Sequence, residues 1–232
     1  MCGWSFFRSA GADDSLPITD YTGEMMRKRT GNLIVISAPS GAGKTTLCQK
    51  LLQSMPDVKM SVSYTTRGPR QGEVNGEHYS FISAEQFREM IGTGTFVEWA
   101  EVHGNYYGTS KVRIQEILNA GADVILDIDV QGARQMRQHF PGSVHIFVLP
   151  PSMEALRQRL EGRMSDAPEV IARRLLKAQD EIRGYRDYNY VIINDILDEA
   201  LQELLSVVRA ERARVERFDH AWAAASFLKE EQ

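Results

Sequence analysis

Short apolar runs alternate with helical patterns along most of the 232-residue chain. Continuous runs of this kind are typical of strands that are buried on both faces of a sheet. They lie at residues 33–36, 124–128, 144–149 and 190–193. Helices are predicted after residue 44, at 111–119 and 131–139, and from the Ser152 cap onward. Another helix follows the polar stretch 161–168 and ends at about residue 186. The last predicted helix, at 197–217, has Leu201, Leu204, Leu205 and Val208 on one face. Strands that alternate with helices predict an α/β fold with a parallel sheet and right-handed crossovers.

The segment 61–109 differs from the alternation on either side of it. It combines turn signals and aromatic residues with short strands predicted at 59–64, 78–82 and 96–102. A short helix is predicted at 84–91, because Ser83 and Gln86 have the spacing of a capping box. We interpret 61–109 as a subdomain inserted into the α/β core.

Composition and charge narrow the class of protein further. Apolar residues make up 43% of the chain and charged residues 25%, as in an ordinary globular protein. The net charge of −4 predicts no general attraction to nucleic acid. No run approaches the roughly 18 apolar residues of a membrane helix, and two isolated cysteines fit a reducing compartment. We therefore expect a cytoplasmic protein with no nucleic-acid or membrane partner, and the oligomeric state stays open.

Residues 1–30 have no sustained hydrophobic period. They mix small polar residues with scattered aromatic residues, and the apolar patch at 4–7 is too short for a signal-peptide core. We predict a disordered extension, with Met26 as an alternative start just before the first strand. An arm that binds a partner is the alternative.

A glycine-rich loop follows the first predicted strand and opens a helix, which is the context of a phosphate-binding loop. Backbone N–H groups and the helix N-terminus form an anion site there. Lys44 adds a cation for the β- and γ-phosphates, and Thr45 offers a hydroxyl to Mg²⁺, in part through bound water. Ala38 stands where the strict motif has Gly; the alternative is an ordinary glycine-rich turn. The predicted triphosphate site comprises Ser40, Gly41, Ala42, Gly43, Lys44, Thr45 and Thr46.

A second anion site is predicted around the turn at 68–69. Arg67 and Arg70 flank this Gly-Pro turn and can converge on one phosphate with their planar guanidinium groups. The hydroxyls of Tyr79 and Tyr107 are candidates to donate to the same phosphate. The alternative is a solvated basic turn.

These motifs, in this order, resemble the guanylate kinase family over about residues 32–209. The segments that carry the resemblance are 38–46, 65–70, 96–99, 104–109, 125–129 and 191–195. The resemblance implies transfer of the γ-phosphoryl group of ATP to GMP, and to dGMP, with Mg²⁺, as part of purine nucleotide metabolism. It also implies a domain at 31–215, with a P-loop kinase core (31–60, 110–160 and 185–215), a GMP-binding subdomain (61–109) and a mobile lid (161–184), before a C-terminal tail (216–232).

The resemblance assigns roles residue by residue. Arg67, Arg70, Tyr79 and Tyr107 are implied to hold the GMP phosphate, whereas Ser63, Glu98, Thr109 and Asp127 face the guanine. Arg163 and Arg174 are implied to reach the ATP phosphates, and Asn194 joins the ATP site. Because phosphoryl transfer depends mostly on positioning and charge neutralisation, the catalytic residues are taken as Lys44, Arg67, Arg163 and Arg174.

The chemistry of guanine agrees with these roles. A carboxylate such as Glu98 can accept both N1–H and the N2 amino group, whereas adenine would leave it unpaired. Ser63 and Thr109 can donate to O6. Asp127 and Asp129 follow a buried strand, where α/β sheets bind ligands. One of them orients Mg²⁺-bound water or the guanine, or both are structural caps.

Two departures and two alternative functions qualify the resemblance. Met164 replaces a glycine of the family lid, and Ile196 replaces an acidic residue, which affects the lid and the adenine contacts. One alternative is a non-catalytic scaffold module of the same fold, but the phosphate-binding loop here is intact. The other is a kinase for a sugar phosphate, against which Ser63, Glu98 and Asp127 argue.

Overall fold

The computed structural model describes residues 29–102, 104–162 and 167–228. Residues 30–214 form one compact unit, and Arg29 and residues 215–228 belong to a second. Most of the predicted N-terminal extension, Arg163 and Met164 lie outside the described residues. No helix in the described ranges has the length and apolar character needed to cross a membrane.

In the described part of the chain the strands are β1 (Leu33–Ser37), β2 (Val58–Met60), β3 (Tyr64–Thr65), β4 (Ser80–Phe81), β5 (Phe96–Val102), β6 (Asn105–Ser110), β7 (Asp123–Asp127), β8 (Val144–Leu149) and β9 (Tyr190–Ile193). The helices there are α1 (Lys44–Ser54), α2 (Ala84–Gly92), α3 (Lys111–Asn119), α4 (Val130–His139), α5 (Met153–Glu161), α6 (Pro168–Ile182), α7 (Leu197–Arg212) and α8 (His220–Phe227). Short 3₁₀ helices lie at Arg183–Asp187, after α6, and at Val215–Arg217, after α7.

The central sheet of the described residues is parallel and has the strand order β2-β7-β1-β8-β9. Its two faces are both covered, as the continuous apolar runs predict. Ile34 and Ile36 of β1 pack with α1 and α7, whereas Leu33 and Val35 pack with α3 and α4. At the carboxyl end of the sheet Ile36 pairs with Asp127. This register brings the loop after β1 and the end of β7 to the same edge.

A second sheet of the described residues, β4-β3-β6-β5, forms the inserted segment. Strands β5 and β6 form an antiparallel hairpin in which Glu98 lies opposite Thr109. Helix α2 has the predicted capping box, since Ser83 accepts a bond from the Gln86 amide and Gln86 accepts one from the Ser83 amide. Phe87 of α2 stacks on Phe96 and Tyr106 of the hairpin. The aromatic residues of this segment therefore build a small core of its own.

The structure differs from the predicted elements in three main places. The strand predicted at 59–64 is divided between the two sheets, because Ser61 donates to Ile125 in the central sheet while the Ser63 carbonyl accepts from Ser80 in the second. The segment 105–110 was not predicted as a strand, yet it forms β6. The last predicted helix ends at Arg212 instead of residue 217, and a separate helix, α8, follows in the segment that the pattern left unassigned.

Candidate active site

The glycine-rich loop between β1 and α1 has a backbone that only glycine adopts readily. Gly41 and Gly43 have φ angles of 95° and 89°. A Cβ at Gly43 would overlap the side-chain amide of Asn194, which is buried and donates to the Ala42 carbonyl at 2.8 Å. Asn194, predicted in the ATP site, thus braces the loop from the end of β9. A cavity of about 320 Å³ lies beside it, lined by Gly41, Gly43, Thr46, Arg159, Asn194, Asp195 and Leu197.

Lys44, the first residue of α1, is held against the end of β7. Its ammonium group forms an ion pair with the Asp127 carboxylate and donates to the Ile128 carbonyl at 3.0 Å. Thr45 follows in the exposed first turn of the same helix. A hydroxyl and a carboxylate oxygen are hard ligands that suit Mg²⁺, which keeps several waters and needs few protein ligands. The described residues contain no cluster of three or more His, Cys, Asp or Glu side chains that could hold a metal ion. The Thr45 hydroxyl and the Asp127 carboxylate are suitable ligands for Mg²⁺ that is bound largely by phosphates and water.

The two aspartates at the carboxyl end of β7, Asp127 and Asp129, have different partners. Asp129 is the N-cap of α4, where its Oδ1 accepts from the amides of Gln131 and Gly132 at 3.0 and 2.9 Å. Asp127 is the one that meets Lys44. Asp129 is thus a structural cap, and Asp127 is the carboxylate that pairs with the lysine of the glycine-rich loop.

The residues predicted to contact guanine meet at the Glu98–Thr109 pair of the hairpin. Glu98 is only 6% exposed, and the Thr109 hydroxyl donates to its Oε1. Burial raises the pKa of the Glu98 carboxyl to about 7, against the effect of the Thr109 hydrogen bond and with a contribution from Asp129. Ser63 lies next to this pair, with its hydroxyl 3.3 Å from that of Thr109.

One cavity of about 210 Å³ joins these groups. Its lining includes Ser63, Tyr79, Glu98, Tyr107 and Asp127 from the predicted acceptor site, together with Asp129 and Lys177. Lys177 was missed by the sequence analysis. It lies three residues after Arg174 on α6, so helical spacing from that arginine was the available signal.

The predicted phosphate end of the acceptor site is built around Arg67. Its guanidinium lies 5.5 Å from the Tyr79 ring centroid, and the Tyr79 ring contacts that of Tyr107, with 6.0 Å between the two centroids. It also forms a two-pronged ion pair with Glu73, whose carboxylate the sequence analysis missed. Arg70 is exposed and contributes its backbone amide to Glu73 at 2.7 Å. The structure therefore brings together Arg67, Tyr79 and Tyr107, and leaves the Arg70 side chain at the surface.

Helix α6, which lies within the predicted lid, contacts the phosphate-binding loop. The Arg174 guanidinium donates to the Ser40 hydroxyl at 2.6 Å. Leu175 and Ala178 on another face of α6 are buried against α5. Of the two lid arginines, Arg174 thus contacts the loop, and Arg163 lies outside the described residues.

A glycine-rich loop between a strand and a helix at the carboxyl edge of a parallel sheet, near a cavity lined by a buried carboxylate, is typical of a P-loop nucleotide kinase. The model of the guanylate kinase family matches residues 30–211 of this chain. The chain belongs to the guanylate kinase family.

Individual relatives agree with the family match. A guanylate kinase of Geobacter metallireducens is 55% identical over 200 residues, which cover 83% of this chain and 98% of that protein. A guanylate kinase of Escherichia coli K12 is 52% identical over 189 residues, which cover 81% and 91%. The crystal structure of guanylate kinase from Anaplasma phagocytophilum aligns with a TM-score of 0.72 and 33% identity, over 89% of this chain and all of that one.

These comparisons bear on the alternatives that the sequence left open. These three matched proteins are named guanylate kinase, which is an enzyme. None of the three is named as a non-catalytic scaffold or as a kinase for a sugar phosphate. The predicted family and the predicted α/β fold class are confirmed.

Proposed function

We propose that this chain transfers the γ-phosphoryl group of ATP to GMP in a Mg²⁺-dependent reaction, giving ADP and GDP. Membership of the guanylate kinase family supports the reaction itself. The observation that carries our residue assignment is one cavity lined by both Glu98 and Asp127, the latter paired with Lys44 of the phosphate-binding loop. The carboxylate that we assign to guanine and the aspartate that pairs with the donor-site lysine thus line the same cavity.

Glu98 and the two hydroxyls beside it account for the choice of base. The ionised Glu98 carboxylate accepts N1–H and the N2 amino group of guanine, which adenine cannot supply together. A hydroxyl has one proton to donate, and that of Thr109 goes to Glu98. Ser63, 3.3 Å from Thr109, is therefore the hydroxyl that we assign to guanine O6. We assign no residue to the sugar 2′-hydroxyl, and the proposal includes dGMP as an acceptor.

Charge neutralisation accounts for catalysis. Lys44 is held near the phosphate-binding loop by Asp127 and the Ile128 carbonyl, and it neutralises charge that develops on the transferring phosphoryl group. Bound Mg²⁺ supplies further neutralisation on the phosphate oxygens, and Thr45 and Asp127 are the residues that we assign to it, in part through water. Arg67, Tyr79 and Tyr107 hold the acceptor phosphate.

Arg174 closes the donor side. Its bond to Ser40 ties α6 to the phosphate-binding loop, so the helix covers the triphosphate and limits the access of water. We assign the same role to Arg163 from its position in the lid segment. The proposal locates the enzyme in the cytoplasm, where ATP and GMP are available.

The test is ATP consumption with GMP, dGMP, AMP and ribose 5-phosphate as acceptors, with Mg²⁺ and with excess chelator. We expect turnover with GMP and dGMP that requires Mg²⁺, and discrimination against AMP on the order of 10⁴-fold in kcat/KM. Glu101→Gln is the matched control for Glu98→Gln, because Glu101 is an exposed carboxylate on the same strand. Equal turnover of AMP or ribose 5-phosphate would refute the assignment.

A further inference from the structure

The carboxylate of Glu73 lies inside the basic turn that we assign to the acceptor phosphate. Its Oε1 accepts from Arg67 Nη2 at 2.8 Å, and its Oε2 accepts from Arg67 Nη1 at 3.0 Å. The same Oε2 accepts from the Arg70 backbone amide at 2.7 Å. Both side chains of the pair are largely shielded from solvent, with 15% and 18% of their surface exposed. The Glu73 carboxylate therefore binds both the Arg67 guanidinium and the backbone of the turn.

The pairing leaves a defined edge of the guanidinium for other acceptors. An arginine has five N–H donors in a planar fork. Glu73 and the Gly68 carbonyl take both Nη1 protons and one Nη2 proton. The Nε proton and the second Nη2 proton remain, and they lie together on the Nε–Nη2 edge of the guanidinium. The Tyr79 and Phe81 rings lie 5.5 and 5.8 Å from the guanidinium and limit its movement.

We propose that Glu73 is a positioning residue, which holds Arg67 so that its Nε–Nη2 edge is directed to the phosphate of GMP. The proposal rests on the proposed function, because it assigns the phosphate of GMP to Arg67. An arginine side chain free to rotate would lose conformational entropy when it binds the phosphate. Fixed by Glu73, Arg67 incurs that cost during folding instead of during binding, which is the general benefit of preorganisation.

The pairing is present throughout the working pH range. The hydrogen bond from Arg67, followed by that from the Arg70 amide, lowers the pKa of the Glu73 carboxyl to about 2. Glu73 is thus ionised whenever the protein is folded and active. Its influence on GMP binding should be independent of pH, in contrast to that of Glu98.

The experiment compares GMP with guanosine, which has the same base and sugar and no phosphate. Calorimetry on Glu73→Gln should show affinity for GMP lowered about 10- to 100-fold, the loss expected for a hydrogen bond to a charged group, and guanosine affinity within about twofold of wild type. In steady-state kinetics the KM for GMP should rise by a similar factor, with a smaller change in kcat and none in the KM for ATP. Glu77→Gln removes one exposed charge from the same turn and is the control.

A second variant separates positioning from folding and from a direct contact. In an Arg67→Met background, Glu73→Gln should cause no further loss of GMP affinity, because Glu73 acts through Arg67. Equal losses for GMP and guanosine, or additive losses in the double variant, would overturn the proposal. A gain in GMP affinity would also overturn it, since Glu73 would then compete with the phosphate. The wild-type assays test the proposed function independently: a protein that neither binds nor phosphorylates GMP fails that proposal before Glu73 is considered.

Discussion

The Glu98→Gln substitution removes a buried carboxyl group. Burial raises the pKa of this group from an ordinary value of 4.5 to about 7 in the folded protein. Between these two pH values the folded chain keeps a proton at Glu98 that the unfolded chain has released. The corresponding stability is fully present below pH 4.5 and is lost as the pH rises through about 7. With about 1.4 kcal/mol for each pH unit, the loss amounts to about 3 kcal/mol. Glu98 is 6% exposed, so solvent screening reduces this value little.

The amide in the Glu98→Gln variant does not ionise and still offers an oxygen to the Thr109 hydroxyl. The free energy of unfolding of the variant relative to wild type should therefore rise by about 3 kcal/mol between about pH 5 and pH 8. Urea denaturation at several pH values measures this difference, and any constant effect of the substitution cancels. Glu101→Gln should give a difference that does not change with pH. A pH-independent difference for Glu98→Gln would refute the pKa and the reasoning from burial.

The same carboxyl must be ionised to accept the two donors of guanine. Wild-type affinity for guanosine, which has no phosphate to titrate, should thus fall about tenfold from about pH 8 to pH 6. The Glu98→Gln variant should bind guanosine weakly at both pH values, because its amide N–H₂ meets the donors of the base. Persistence of the pH dependence in the variant would show that another group is responsible.

Three further predictions test other parts of the molecule. Lys44→Ala should lower kcat on the order of 10²- to 10³-fold with GMP affinity retained, and turnover within a few-fold of wild type would remove Lys44 from the donor site. Arg174→Ala should lower kcat with little change in the KM for GMP, whereas Arg173→Ala, at an exposed neighbouring position, should have no such effect. Burial lowers the pKa of His145 from 6.5 to about 4, so the unfolded chain binds a proton that the folded chain does not, and the His145 contribution to stability is lost as the pH falls from 6.5 towards 4, opposite in sign to that of Glu98. In urea denaturation, the free energy of unfolding of His145→Gln relative to wild type should therefore rise as the pH falls over that range.

The elements that the sequence predicted correctly are those with a strong local pattern. The bounds of β5, β8, β9 and α3 are as predicted, because apolar runs and capping residues define each of them without reference to the rest of the chain. The division of 59–64 between two sheets has no local signal. It depends on which strand lies alongside: Ser61 bonds to Ile125, far along the sequence, while Ser63 bonds to Ser80. Pairing partners of this kind are fixed only when the fold is complete.

The candidate site likewise has residues that could be predicted from local motifs and residues that could not. The residue types for a triphosphate, a guanine base and a phosphate could be found from motifs, and the structure brings five of the predicted acceptor-site residues to a common cavity: Ser63, Tyr79, Glu98, Tyr107 and Asp127. The sequence could not distinguish Asp127 from Asp129, because both follow the same strand and either could cap α4. The contacts in the structure distinguish the two residues, because Asp127 pairs with Lys44 and Asp129 caps α4. Glu73 was missed for a related reason, since an acidic residue in an exposed-looking basic turn is usually only solvated.

Lys44 and Arg67, the two cations that we assign to phosphate binding in our proposal, are both paired with carboxylates. An unpaired cation in a partly buried cavity would be costly to fold, so each pairing removes that cost. The two pairs nevertheless differ. Arg67 has donors beyond those that Glu73 occupies and can hold a phosphate while the pair persists, whereas the Lys44 ammonium group has three donors, of which Asp127 and Ile128 take two. Arg67 thus keeps two donors on one planar edge, which suits two oxygens of an acceptor phosphate, and Lys44 keeps one donor for the transferring phosphoryl group while its pair with Asp127 persists.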